Sequence, residues 1–369
     1  MHRVELTRGA GRVAVSAVAW ASLLTAVGCG AIEPQVAYPK IQPGAAAAPA
    51  PSAPAESPGA WARTLQGLRA DDQRVADVAY RIVTASAELC ADVKPQSGLL
   101  WQSALQYSPR VRARAEAAFH LGDRASIEAV AVGSPAAAAS LRQDDVLVAV
   151  NGEPLTTGAP PSPSGPDERP ATRAPVDNAE AAIDAALARG PARLRVQRGG
   201  ETLEAVLTPR VGCAYDAQVL PGADLNASAD GRHVFISAAL VDFARTDDML
   251  AVVLGHEFAH DLLHHRQRED QRGFARGVLG QLGSSPASHM VAEKEADYVG
   301  LYLTARAGYD ISGAPAFERQ IPSGGDLGLT HPDSAERVAA VAATRDEILA
   351  KRQRGEPLVP NPAGGSRRE

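Results

Sequence analysis

The sequence predicts an α+β fold, in which a mainly helical domain with a small β-sheet is interrupted by an inserted β-rich domain. Apolar residues recur at helical spacing from Trp61 to Leu89 and again from Thr246 onward. Between these helical regions, short alternating segments separated by Gly and Pro are typical of strands and turns. The chain has 369 residues, 45% of them hydrophobic, which is enough for about two domains.

The first sixty residues have the pattern of a targeting segment followed by a linker. In residues 1–29, basic residues precede an apolar stretch that is short for a membrane span, and the stretch ends at Gly28-Cys29. This ending resembles the lipobox of bacterial lipoproteins, with Ala26 where Leu is usual. The resemblance implies a lipid on Cys29 and a protein in the bacterial cell envelope, anchored in the outer membrane and facing the periplasm. An ordinary secretory signal that is cut nearby is the alternative. Residues 30–60 are rich in Pro and Ala and predict an extended linker.

Charge and cysteine content limit the classes of function. The net charge is −6 and no basic stripe with aromatic residues occurs, so the composition does not favour nucleic-acid binding. Two of the three cysteines, Cys90 and Cys213, flank the inserted region. Because a compact insertion has neighbouring ends, a disulfide between them is one prediction for an oxidising compartment. Two buried free thiols are the other.

The rest of the chain divides into four predicted segments. Residues 61–116 are predicted to be an N-terminal helical part of the main domain, and residues 117–210 the inserted domain. Residues 211–354 complete the main domain, and residues 355–369 form a polar tail that we expect to be disordered.

The inserted domain has an identifiable order of elements. It runs from strand to short helix to strand to helix, and closes with a hairpin around Gly199-Gly200. This order and the segment VGSPAAAASLRQDDVLVAVNGEPL resemble a bacterial PDZ domain, although Ser140 and Asp144 stand where that family usually has Gly. The resemblance implies binding of C-terminal peptides by strand addition, with the carboxylate loop near His120-Leu121-Gly122. The alternative is a PDZ-like fold that only packs against the main domain.

The central chemical motif is His256-Glu257-Phe258-Ala259-His260. Residues four apart lie on one face of a helix, so both imidazoles can reach one metal ion, with Glu257 close enough to act on water at that ion. A solvated helix face is the ordinary alternative. The surrounding helix is strongly apolar, however, which favours a functional reason for keeping three polar groups on it.

Two known spacings of a third zinc ligand do not occur in this chain. The position ten residues after His256 is Arg266, and the position twenty residues after His260 is Gly280. The remaining candidates lie in Glu293-Lys294-Glu295-Ala296-Asp297 on the next strong helix. Glu293 and Asp297 share a face of that helix, and Glu295 points elsewhere.

The segment from Leu225 to about Leu349 resembles the M48 zinc peptidases, whose pattern is HExxH followed by ExxxD. The resemblance implies a gluzincin-type zincin fold with one Zn²⁺ ion held by His256, His260 and Glu293. It further implies that Glu257 is the catalytic base and that Asp297 orients a ligand histidine, with Glu295 as the second candidate for the third ligand. His331, in the sequence Thr330-His331-Pro332-Asp333, is implied near the metal or the oxyanion, or else in a helix-capping region. His265 is interpreted as structural.

The implied activity is endopeptidase cleavage of extended polypeptides, such as misfolded envelope proteins, lying along the strand Val234–Ser237. Two other functions stay open. The chain could be a non-catalytic PDZ-containing chaperone or adaptor on a metalloprotease scaffold. It could also be a latent protease, covered by the region near residues 273–287 or near His331.

Overall fold

A computed structural model of the chain describes residues 58–155, 171–268, 271, 286–321 and 335–361. The targeting segment with Cys29, nearly all of the linker, the Gly-rich stretch 273–285 and His331 lie outside these residues.

Residues 265–268 are helical, and nine further α-helices have both ends within the described residues. They are α1 (Pro58–Ala85), α2 (Pro109–Phe119), α3 (Pro135–Ala138), α4 (Ala174–Leu187), α5 (Ala238–Phe243), α6 (Asp247–Leu262), α7 (Pro286–Arg306), α8 (Ala314–Glu318) and α9 (Ala335–Arg354). Two 3₁₀ turns lie at Ala87–Leu89 and Ala104–Gln106.

Eleven β-strands form the described sheets. They are β1 (Val93–Gln96), β2 (Leu99–Gln102), β3 (Ser126–Val130), β4 (Val146–Val150), β5 (Glu153–Pro154), β6 (Ala192–Arg198), β7 (Glu201–Leu207), β8 (Arg210–Cys213), β9 (Asp216–Leu220), β10 (Ala227–Ala229) and β11 (His233–Ser237).

The helical part is built around α1, α6 and α7. The apolar stripe of α1, which includes Val75, Val78 and Ile82, is at most 1% exposed and belongs to the same core as Leu250 and Leu254 of α6. Burial of side chains of this size stabilises the fold by about 1.5–3 kcal/mol each. The helix expected from Trp61 to Leu89 therefore exists, and it packs the first described element against the helix that carries the HExxH motif.

A three-stranded sheet covers one side of this helical core, with the strand order β10-β11-β9. The pairing of β11 with β10 is antiparallel and that with β9 is parallel. The expectation that an extended substrate lies along Val234–Ser237 is therefore wrong, because β11 has a strand partner on each side. The sequence pattern of β11 does not reveal its two neighbours, since a short apolar run suits an edge and a central strand equally well.

The inserted unit is built on a six-stranded sheet with the order β2-β3-β4-β6-β7, and β5 pairs with β4. Its own core includes Trp101, Ile127, Ile183 and Leu194, which are all at most 2% exposed. Strand β2 pairs antiparallel with β3, so the inserted sheet includes residues 99–102. The predicted helical part 61–116 thus contains a strand of the insertion.

A two-stranded ribbon joins the insertion to the rest of the chain. Strands β1 and β8 pair antiparallel, with Val93 opposite Cys213. Cys213 is bonded to Cys90, with 5.5 Å between their Cα atoms. The disulfide therefore closes a 123-residue separation at the base of the inserted unit.

The start of the C-terminal tail is ordered, in contrast to the disorder expected from residue 355. Arg306 donates to the carbonyl oxygen of Leu358, and Lys351 donates to that of Val359. The backbone N–H of Asn361 donates to the hydroxyl of Tyr298. Arg306 and Tyr298 of α7 lie 52 and 63 residues from their partners in the tail, so the polar composition of the tail does not reveal these contacts.

Among the described residues, no helix combines the length and the apolar character that a membrane crossing requires.

Candidate metal centre and its surroundings

Helix α6 begins with a cap that its sequence predicts. The Thr246 hydroxyl accepts a hydrogen bond from the backbone N–H of Met249 at 3.2 Å, and Asp247 and Asp248 lie in the first turn, where the helix dipole favours acids. Leu254 and Phe258, each at most 1% exposed, fix the helix in the core. The opposite side of α6 presents His256 and His260.

Two imidazoles and one carboxylate converge at this face. The Nε2 atoms of His256 and His260 lie 3.1 Å apart. The Glu293 carboxylate oxygens lie 3.5 Å from Nε2 of His256 and 3.6 Å from Nε2 of His260. One ligand atom from each of the three residues falls within 4.8 Å of the others. Two imidazole nitrogens and one carboxylate form a donor set that suits Zn²⁺ and leaves a position open for a further ligand.

A pair of glycines brings α6 and α7 close enough for this convergence. A Cβ atom added to Gly300 would lie 2.7 Å from the Cα of His256, and one added to Gly255 would lie 2.6 Å from the carbonyl oxygen of Gly300. Real Cβ atoms do not approach backbone this closely, so both positions require glycine. Thr304 completes the helix contact by donating to the carbonyl oxygen of Ala251 at 2.8 Å. In the sequence, the small residues spaced along α6 and α7 are the one signal of this crossing.

Asp297 holds the far nitrogen of His256. Its Oδ1 atom lies 2.9 Å from Nδ1 of His256, and the Arg337 guanidinium donates to both carboxylate oxygens at 2.7 and 2.8 Å. Burial by itself raises the pKa of Asp297, but the hydrogen bonds from Arg337 and His256 outweigh it and lower the pKa to about 2. Asp297 is therefore ionised at neutral pH and lies where it was expected, next to a candidate ligand.

The electrostatics of His256 follow from these neighbours. Burial lowers the pKa of His256, but hydrogen bonds to Asp297 and Glu293 outweigh this effect and raise the pKa well above its ordinary value. The same two carboxylates that favour a proton on the imidazole also favour a cation beside it.

Glu257 adjoins an apolar cavity next to the two imidazoles. The cavity has a volume of about 70 Å³, and Glu257, His256 and Ala227 of strand β10 line it. Apolar side chains from α5, α6, α7, α8 and α9 form much of the rest of its wall, together with the charged side chains of Asp297, Glu318 and Arg337. Glu257 is only 3% exposed, so a water molecule that it binds there would be shielded from bulk solvent.

The turn between β10 and β11 is fixed to α6 by Asp261. The backbone N–H of Gly231 donates to Oδ1 of Asp261 at 2.7 Å. Gly231 has φ of +103°, a conformation that favours glycine. The segment Asn226–Gly231 thus contributes strand β10 and the first residues of this turn.

The remaining predicted residues are placed as follows. Glu295 lies outside the converging set and instead contacts His265 at 3.0 Å. His265 is 5% exposed and contacts His260. His331 lies outside the described residues.

Part of this chain is similar to known proteins. Residues 201–275 match the model of the family described as "Peptidase family M48". The mitochondrial metalloendopeptidase OMA1 of Saccharomyces cerevisiae is 30% identical over 137 residues, which are 29% of this chain and 39% of that protein. The OMA1 protein of Schizosaccharomyces pombe is 29% identical over 151 residues, which are 33% of this chain and 44% of that protein. The chain thus spans about two fifths of the length of these relatives.

A solved structure matches at a lower level. It is the PDZ domain of HtrA3 bound to the phage-derived ligand FGRWV, with 21% identity, a TM-score of 0.21, and coverage of 32% of this chain and 88% of that one. A TM-score of this size is too low to establish a shared fold.

Proposed function

We propose that the chain is a zinc-dependent endopeptidase of the M48 type, with His256, His260 and Glu293 as ligands and Glu257 as the catalytic base; the match of residues 201–275 to that family model supports the proposal. The convergence of two imidazole nitrogens and one carboxylate within 4.8 Å carries this proposal. The names of the two yeast relatives, both metalloendopeptidases, support the same activity.

The residues present fit a zinc ion, and each has a separate task. His256, His260 and Glu293 would hold the ion, and Asp297 would orient His256. Zinc, when bound, polarises a substrate carbonyl and makes water a stronger nucleophile at neutral pH. Glu257 accepts the proton of the attacking water and delivers it to the leaving amine nitrogen. The burial of Glu257 supports this role, because few solvent molecules compete for the proton.

We place an extended substrate along the outer edge of β10. Among the described strands, β10 pairs only with β11. The N–H of Ser237 donates to the carbonyl oxygen of Asn226, and the N–H of Asp230 donates to that of His233. Because alternate residues of an antiparallel strand bond to the partner strand, the main-chain groups of Ala227 and Ala229 point away from β11. A peptide can pair with these groups whatever its side chains, which suits unfolded substrates.

One variant tests the position of the substrate. Ala229→Pro removes an outward N–H while leaving the Ser228 pairing intact, and we expect KM for a peptide substrate to rise at least tenfold with little change in zinc content. Ala229→Ser is the matched control and should behave as the wild type. An unchanged KM in Ala229→Pro would place the substrate elsewhere.

The experiment that tests the activity combines metal analysis with cleavage of denatured casein. We expect about one zinc ion per wild-type chain and cleavage of casein, whereas Glu257→Gln keeps the ion and loses cleavage by at least about a thousandfold. Zinc binding without cleavage in the wild type would favour the non-catalytic chaperone or the latent protease. Full cleavage by Glu257→Gln would show that Glu257 is not the catalytic base.

For the inserted unit, we propose a PDZ-like domain that packs against the peptidase part and does not hold a C-terminal peptide between β2 and α4. That space is bounded by Tyr80 of α1 and by Asp216 of β9, which leaves a cavity of about 80 Å³. Peptide and ligand pockets occupy about 300–1,000 Å³. Binding of a C-terminal peptide library to the whole chain, lost on substitution of Ile183 in α4, would contradict this proposal.

For the location, we propose an envelope lipoprotein whose substrates are misfolded or misassembled envelope proteins. The ending Gly28-Cys29 supports a lipid on Cys29, and the disulfide supports an oxidising compartment. Palmitate labelling of the wild type and its loss in Cys29→Ser test the anchor. Equal labelling of the two proteins would contradict it.

A further inference from the structure

The second candidate ligand, His260, has a partner on the nitrogen that faces away from the converging set. Its Nδ1 atom lies 2.8 Å from Nδ1 of His265, and the two rings meet edge to face with centroids 4.8 Å apart. His265 is 5% exposed, so water does not replace this contact easily. A buried imidazole directly behind His260 is therefore part of its surroundings.

The contact continues from His265 to a carboxylate. Nε2 of His265 lies 3.0 Å from Oε2 of Glu295, and the same oxygen accepts a hydrogen bond from Arg268 at 2.7 Å. The chain of contacts thus runs from His260 through His265 to Glu295 and ends at a guanidinium. We call these residues the His265 relay.

One arrangement of protons makes every contact in the relay a hydrogen bond. If Nε2 of His260 gives its lone pair to a metal, Nδ1 of His260 carries a proton and donates it to Nδ1 of His265. The Nε2 atom of His265 then carries its own proton and donates to the ionised Glu295. Each of the two imidazoles is neutral in this arrangement, and no lone pair faces another.

The relay has a counterpart on the other ligand. His256 is held directly by Asp297, which in turn accepts from Arg337. Glu295 lies two residues before Asp297 on α7 and so projects about 200° around the helix from it, which prevents it from reaching a ligand imidazole by the same short path. His265, in the short helical segment 265–268 that follows α6, lies between Glu295 and His260.

We propose that His265 and Glu295 are positioning residues that fix the ring of His260 for zinc, an inference that rests on the proposed function. Glu293, Glu295 and Asp297 then divide the work on α7. Glu293 supplies a ligand atom, Asp297 holds His256 directly, and Glu295 holds His260 through His265.

The test is the zinc affinity of the full chain, measured by competition with a chromogenic chelator. We expect His265→Phe to lower the affinity about 10–100-fold, because loss of such a partner typically has this effect on a metal site. Glu295→Gln should lower the affinity by a smaller factor. His265→Asn keeps an acceptor near the position of Nδ1 and should recover part of the loss.

His264→Asn is the matched control. It changes the neighbouring histidine, which is 39% exposed at its side chain and has φ of +52°, a conformation that Asn tolerates. We expect its zinc affinity to stay within twofold of the wild type. The thermal midpoint of the zinc-free proteins separates a change in affinity from a failure to fold, and Glu295→Gln serves if His265→Phe does not fold.

The outcomes separate the two proposals. A wild type that binds no zinc contradicts the proposed function itself. A wild type that binds zinc and cleaves casein, with unchanged affinity in both His265→Phe and Glu295→Gln, overturns the relay alone. Loss of affinity in His265→Phe without any loss in Glu295→Gln removes Glu295 from the relay.

Discussion

At the scale of single residues, the inserted unit holds non-glycine residues in left-handed backbone conformations. Ser140 has φ of +60° and Asp144 has φ of +71°. The expected resemblance to PDZ domains marks both positions as ones where Gly is usual, and the positive φ values show a conformational demand at each of them. A left-handed conformation costs an L-residue about 1–2 kcal/mol relative to the right-handed region.

We expect Ser140→Gly to raise the free energy of unfolding by about 0.5–1 kcal/mol, because glycine accepts this backbone conformation while losing more chain entropy on folding. Urea denaturation measures the change. Ala139→Gly is the control, since Ala139 has φ of −82° and glycine there should lower stability. A destabilised Ser140→Gly would show that the Ser140 side chain contributes more than its backbone strain costs.

Much of the candidate centre was predictable from the sequence. His256, Glu257, His260, Glu293 and Asp297 were singled out by spacing and resemblance, and the structure brings the two histidines, Glu293 and Asp297 together. The partner of His260 was not predictable in the same way. His265 was interpreted as structural because it leaves the metal-facing side of α6, and its contact with Glu295 depends on where α7 crosses.

At the scale of elements, the crossing of α6 and α7 decides whether the ligands meet. Helical periodicity predicted both helices to within a few residues. It could not predict how closely they approach, because a glycine inside a helix reads only as a weak helix former. In the same way, the sequence placed β11 but not its two neighbours, and it left β2 outside the inserted sheet because strand pairing is a long-range property.

We expect Gly300→Ala to lower the free energy of unfolding by about 1–3 kcal/mol and to weaken zinc binding at least tenfold, because the added methyl group forces α7 away from His256. Calorimetry and chelator competition measure the two effects. Gly67→Ala in α1 is the matched control, since a Cβ atom there meets nothing within 4 Å. This control should raise stability by up to about 1 kcal/mol. Equal behaviour of the two variants would contradict the close-approach argument.

At the scale of the whole molecule, acidic groups lie where the inserted unit packs against α1 and β9. Asp72 of α1 is 9% exposed and shares a hydrogen bond with Glu128 of β3. Burial raises the pKa of Asp72 to about 7, against the lowering effect of its hydrogen bonds to Glu128 and to the backbone of Val219. Burial also raises the pKa of Glu128. The contact between the inserted unit and α1 therefore contains two carboxyl groups, Asp72 and Glu128, that share a proton in the folded chain.

This arrangement predicts a stability that falls as pH rises from about 4 to about 7. The folded chain binds more protons than the unfolded chain in this window, because the pKa of Asp72 is about 7 when folded and about 3.9 when unfolded. The slope for one proton is at most about 1.4 kcal/mol per pH unit. Asp72→Asn should make the dependence shallower, as measured by denaturation at several pH values. Parallel curves for the two proteins would contradict the assignment.

The central claim is that two imidazoles from α6 and one carboxylate from α7 hold a single cation. Zinc content per chain, measured on the purified wild type and on Glu293→Ala after dialysis against a weak chelator, tests it most directly. The account predicts about one ion per wild-type chain and nearly none in the variant, while the far-UV circular dichroism of the two proteins stays the same. A full equivalent of zinc in Glu293→Ala would contradict it.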